Sequence, residues 1–322
     1  MTHSLGHRER VVRAIEHQDL DRVPCCFRAE ADVEERLMRE LDLSSHLDLI
    51  RFFDADTVDL QTYLQPPDLA HVETVEDVDR LAWPNRGSAD VGAYTARLRE
   101  LRGTGLAVLA GAWASIFTGP RRAMGEAKYL MAMLDHPDLI ARITQQMTES
   151  YLDLNEAVFS RCADCIDVFY FGSDFGSQRS LFIGRDAFVR FFKPHMTRLA
   201  QHAKGFGLKV MFHTCGAVAE IIPDLIECGI DVLDPVQVSA HGMQPETLAR
   251  DFKGRIAFHG GISTQTTLPH GTPEQVRDEV RHAIAALGPT GYICGPDQDM
   301  MGDTPTENMV AMYEAMHRCE VP

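Results

Sequence analysis

Residues 209–237, KVMFHTCGAVAEIIPDLIECGIDVLDPVQ, decide the fold. Two short apolar runs, KVMFH and VLDPVQ, enclose a stretch suited to a helix, and each ends in polar or small residues. A strand, a helix and a second strand in that order make a parallel pair with its crossover, the unit of α/β proteins. Working outward, the same unit recurs along the chain. Further runs lie at 23–27 (VPCCF), 56–60 (DTVDL), 106–113 (LAVLAGAW), 166–172 (IDVFYFG), 256–261 (IAFHGG) and 291–295 (GYICG). Continuously apolar strands mean a sheet covered on both faces. Eight of them predict an α/β chain closed as a (β/α)8 TIM barrel. An open doubly wound sheet is the alternative, but no G-x-G-x-x-G or G-x-x-x-x-G-K motif follows the first run to give it a nucleotide site.

The chain of 322 residues is 45% hydrophobic, enough for one large core, and is read as one domain over residues 1–322. An amphipathic segment, HRERVVRAIEH, places Val11, Val12 and Ile15 on one face and predicts an N-terminal helical extension before the first strand. Residues 61–105, rich in proline and turn residues, predict an excursion from the regular pattern. Toward the C-terminal end, Thr272-Pro273-Glu274 opens a helix that Gly288 closes. The formal net charge of −16 removes the driving force for nucleic-acid binding. The N-terminus has no signal-peptide pattern and no window has the apolar length of a membrane span, so a cytoplasmic protein is expected. In that compartment the eight cysteines read as thiols or metal ligands rather than a disulfide framework.

Barrel enzymes place their chemistry where strands end, so the residues closing each run are the candidates. His213 and Cys215 lie two apart at one strand end, and Cys294 closes another. Two thiolates and an imidazole make a zinc site with its fourth position free. The same residues are equally readable as a strand-end histidine and two small buried hydrophobes.

H-T-C-G at 213–216, E-C-G-I-D-V-L-D-P-V-Q at 227–237 and C-G-P at 294–296 resemble the uroporphyrinogen decarboxylase superfamily, and within it the cobalamin-dependent methyltransferase branch. D-R-V-P at 21–24, G-S-D-F-G-S-Q at 172–178 and Lys193-Pro194 extend the likeness over nearly the whole chain. The resemblance implies zinc on His213, Cys215 and Cys294, with 78 residues between the two cysteines. It also implies a methyl group moved between a small substrate, a methoxy compound or a thiol, and cobalt. No D-x-H-x-x-G signature is present, so the cobalamin is expected on a separate corrinoid protein docked over the mouth. The family's arginine-rich M-R-Q-A-G-R segment is replaced by Cys25-Cys26-Phe27-Arg28-Ala29-Glu30, which weakens porphyrinogen decarboxylation.

Other mouth residues receive roles by position. Asp174, Glu30 and His259 are expected to be catalytic, His259 with zinc ligation or a structural place as alternatives. Arg28, Gln178, Tyr170 and Asp297 are expected to bind substrate, although Arg28 and Glu30 are equally suited to pair with each other. Cys162 and Cys165 read as buried thiols. A cofactor-free decarboxylase and a zinc-dependent scaffold for the corrinoid protein are the rival functions, and a homodimer is possible.

Overall fold

The computed structural model describes residues 4–319. Seven strands form one parallel sheet in chain order: β1 (Thr57–Thr62), β2 (Ala107–Ala112), β3 (Val168–Gly172), β4 (Lys209–His213), β5 (Val232–Val236), β6 (Ala257–Ile262) and β7 (Tyr292–Pro296). Each coincides with one of the apolar runs. The first run is the exception and corrects the expectation of eight strands. VPCCF forms a single bridge, Cys25 beside Cys294, rather than a ladder. That bridge still joins the sheet's two edges. Cys26 N–H donates to the Cys294 carbonyl (3.1 Å), Cys294 N–H to the Pro24 carbonyl (2.8 Å), and Asp56 N–H to the Cys25 carbonyl (2.8 Å). Pro24 carries no N–H to extend the pairing.

Alternation along the strands separates two cores. Ala107, Leu109, Val168, Tyr170, Met211, Val232, Ala257 and Ile293 turn toward the axis and pack together. Their neighbours Val108, Phe169, Phe212, Leu233, Phe258 and Cys294 face the helices in a larger cluster. The inner cluster is completed by α1 (His7–Ile15), whose Val11, Ala14 and Ile15 fill the N-terminal end of the sheet's interior. Arg10 fastens this plug: its guanidinium donates to Asp21 (2.7 and 2.8 Å) and to Asp56 (2.6 Å). The amphipathic segment is thus a floor for the sheet.

The excursion expected over 61–105 contains helices Val75–Arg80 and Val91–Arg102 before β2 begins. Helix Pro273–Leu287 starts at Thr272 and ends before Gly288, as its sequence foretold, and Gln275 reciprocates the Thr272 cap. Cys162 and Cys165 are buried free thiols, the former donating to the Val158 carbonyl. Among the described residues no helix is long and apolar enough to cross a membrane.

Candidate functional site

At the C-terminal end of the sheet one carboxylate organises the interior. Asp234 is fully buried on β5. Its Oδ2 accepts from the Tyr170 hydroxyl and faces His213 Nδ1, both at 2.6 Å, while Oδ1 faces His259 Nδ1 (2.6 Å) and accepts from the Arg28 guanidinium (2.9 Å). The strands make this convergence unavoidable. His213 and Asp234 are register partners, and Tyr170, His213, Asp234 and His259 all occupy the inward phase of adjacent strands. Burial opposes charge on every member, but the pairing prevails: Arg28 and the two imidazoles hold the Asp234 carboxyl well below the ordinary range. Burial likewise works against His213, yet Asp234 and Cys215 raise it to about 10. His259 also reaches about 10, against its burial, beside the Cys26 thiol and Asp234.

Because His213 gives its Nδ1 edge to Asp234, its Nε2 edge is free to serve the mouth. Cys215 Sγ lies 3.2 Å from that Nε2, and Asp174 Oδ1 lies 3.7 Å from it. The three donor atoms, Asp174 oxygen, His213 nitrogen and Cys215 sulfur, are all within 4.8 Å of one another. Such spacing suits ligands held about 2.0–2.3 Å from a common zinc ion. The loops that carry them are locked together. Asp174 N–H donates to Thr118 Oγ1 (2.9 Å), Asp174 Oδ1 accepts from Cys215 N–H (3.2 Å), and Gly216 N–H donates to Gln237 Oε1 (2.7 Å). Gly216 itself is at φ +87° against the Gly176 backbone, where a side chain would collide.

Two adjoining cavities open beside this cluster and share Tyr63, Trp113 and His213. One, of about 510 Å³, runs past Thr118, Arg122 and Asp174. The other, of about 450 Å³, is walled by Arg28, Asp59, Tyr170, Gln298 and Asp299. Asp59 is exposed on the cavity wall, and desolvation by the walls around it raises its carboxyl, although Arg28 counteracts it. A further hollow of about 490 Å³ lies among the outer helices between Arg277 and Cys319, away from these groups.

The structure sorts the expected site residues. His213, Cys215 and Asp174 come together, and Arg28 and Tyr170 line a cavity beside them. Arg28 pairs with Asp234 rather than with Glu30. Cys294, expected as the third metal ligand, does not reach the cluster. It has the outward phase of β7, packs in the helix-facing core and receives a hydrogen bond from the Tyr292 hydroxyl at 3.4 Å. Burial raises its thiol further above the ordinary range. Glu30 is exposed at the start of α2 (Ala31–Glu40), its N–H tied to the Met300 carbonyl, and it lines neither mouth cavity. Gln178 points to Gln265 (2.9 Å) on the exposed rim. Asp297 is buried against Thr264, which donates both N–H (2.9 Å) and Oγ1–H (2.7 Å) to it, and burial lifts it to about 6. His259 stays with Asp234 and is outside the metal-ligand group.

Two contributors went unread in the sequence. Asp234 interrupts an otherwise apolar strand, and that interruption was the available signal. Gln298, whose Nε2 lies 3.0 Å from Cys215 Sγ, had no signal beyond following a strand end.

Comparison with known proteins follows this geometry. The fold superposes on a methyltransferase from Methanosarcina mazei with a TM-score of 0.71, at 18% identity, covering 98% of this chain and 99% of that one. Weaker likenesses are an L-ribulose 3-epimerase (TM-score 0.44, 14% identity, 92% of each chain) and a B12-independent methionine synthase from Shewanella sp. W3-18-1. The latter has a TM-score of 0.42 at 13% identity, covering 70% of this chain and 64% of that one. No curated protein matches the sequence. The family model for uroporphyrinogen decarboxylase (URO-D) matches residues 57–319, β1 through the final helix, and the chain belongs to that family.

Proposed function

We propose that the protein is a zinc-dependent methyltransferase that moves a methyl group between a small substrate and the cobalt of a separate corrinoid protein. The observation that carries this reading is the convergence of Asp174, His213 and Cys215 at the open end of the sheet beside two cavities. The likeness to a methyltransferase fold supports it. Asp174 takes the place that the sequence had suggested for Cys294, so the donor set has one thiolate, one carboxylate and one imidazole. Bound there, zinc would supply Lewis acidity toward a substrate oxygen or would lower the pKa of a substrate thiol.

The chain's own residues do the rest. Asp234 holds the Nδ1 edge of His213 and so presents Nε2 as the donor, and the imidazole would release its Nε2 proton to solvent when a metal binds. Trp113, Tyr63 and Tyr170 shape an aromatic wall for a small substrate. In the transfer from a methoxy donor, the bond between methyl carbon and oxygen breaks with its electron pair left on oxygen. The reduced cobalt of the partner would supply the electron pair that the methyl carbon takes up, and the product alkoxide would take a proton from solvent. Arg28 is engaged by Asp234, which leaves a decarboxylase without the free guanidinium that a carboxylated substrate would meet first.

Metal analysis of the purified chain, alongside methyl transfer to a cob(I)alamin-loaded corrinoid protein, tests the reading. About one zinc per chain, lost in Cys215→Ser and His213→Ala, is expected. Protein that carries no metal after purification in zinc-supplemented buffer, or that retains zinc in both variants, contradicts it.

A further inference from the structure

We infer that the Gln298 side-chain oxygen is the fourth donor to the metal held by Asp174, His213 and Cys215, and that an oxygen atom of the substrate displaces it. The inference rests on the metal reading above. It starts from one contact: Gln298 Nε2 lies 3.0 Å from Cys215 Sγ, on the wall of a mouth cavity. Gln298 is held at this place by its neighbours. Asp297 N–H donates to the Ile262 carbonyl (2.8 Å), and Met300 N–H to the Arg28 carbonyl (3.2 Å), so the backbone is pinned on both sides.

A carboxamide presents a donor and an acceptor of nearly equal size at one tip. Without a cation the N–H end faces the sulfur. With a cation among the three donors, a half-turn of the amide exchanges N–H for carbonyl oxygen at the same position and moves no backbone. The resulting set is one nitrogen, one sulfur and two oxygens. One thiolate and one carboxylate balance a dication, so the neutral amide is the donor most readily given up. A site with a single thiolate is also harder than one with two, and hard sites prefer incoming oxygen over sulfur. The substrate class that follows is a methoxy compound or alcohol rather than a thiol.

Cobalt(II) titration of the metal-free full chain reads the ligand directly through its visible absorption. Gln298→Leu should weaken cobalt binding about tenfold to a hundredfold and change the ligand-field bands. Gln298→Glu, which keeps an oxygen and adds a charge, should bind more tightly than the native chain. If the amide only donates to the thiolate, Gln298→Glu will instead bind at least as weakly as Gln298→Leu, and the inference falls. Unchanged affinity and bands in both variants overturn it too, while loss of cobalt in Cys215→Ser preserves the metal reading. A native chain that binds no cobalt removes both. Circular dichroism confirms that each variant is folded.

Discussion

Asp234 and His213 face each other as register partners on adjacent strands, with carboxylate oxygen and Nδ1 2.6 Å apart. The same carboxylate balances Arg28 and His259, so it sets the mouth's charge and the orientation of the imidazole beside Cys215. Asp234→Asn is expected to weaken zinc binding about tenfold to a hundredfold. Asp234→Ala, which strands buried cations, should also cost about 3 kcal/mol or more of stability. Competitive zinc titration and urea unfolding measure the two effects; native affinity in Asp234→Asn would show that His213 needs no such orientation.

The two cysteines singled out by the sequence should behave oppositely. Cys294→Ala removes a fully buried group that touches the Tyr292 hydroxyl and should cost about 1 kcal/mol in thermal unfolding while leaving zinc content unchanged. Cys215→Ser should lose zinc with little change in melting temperature beyond the loss of the metal itself. The reverse pattern would restore Cys294 to the site.

Gly172 closes β3 against β4, which carries His213. A Cβ there would stand 2.6 Å from His213 Cβ, 2.8 Å from the His213 carbonyl and 2.8 Å from the Trp113 ring. Two of those contacts are to His213 itself, so the strain cannot be relieved without moving it. Gly172→Ala is expected to cost about 1–3 kcal/mol and to lower zinc affinity about tenfold. Unaltered metal binding in a destabilised variant would mean that the strand shifts as a unit.

Acid should loosen the floor. Hydrogen bonding to Arg10 holds the Asp21 carboxyl far below the ordinary range, against partial burial. Its folded pKa is therefore depressed, so the contribution is present above the unfolded value of about 4 and fades as pH falls below it. Asp21→Asn should cost about 2 kcal/mol near neutral pH, and the gap to the native chain should shrink below about pH 4. Urea unfolding at both pH values decides this, since a gap that widens in acid would reverse the sign.

The strands were legible because parallel strands covered on both faces are apolar throughout, and seven of the eight runs became ladder strands. The same uniformity hid which residues face inward. In Tyr292-Ile293-Cys294-Gly295 nothing apolar or polar distinguishes the two phases, and Ile293 proved to be the inward one. His213 and Cys215 were readable as a pair because they share a strand end. Asp174, expected to be catalytic, became a metal-site candidate only when the β3 loop was seen beside the β4 loop. Gln298 was hidden for another reason: its contact with Cys215 spans 83 positions of the chain and involves a residue type common on any surface.

The plug formed by Val11, Ala14 and Ile15 fills the N-terminal end of the sheet's interior, and the two cavities beside His213 lie at its other end. A small molecule must enter through the opening that a docked protein would cover. Under the function proposed above, a productive encounter would have an imposed sequence, with the small molecule seated first and the macromolecule arriving as the closing cover. Departure would then run in reverse, and the residence time of the larger partner would set a ceiling on turnover however fast the chemistry beneath it.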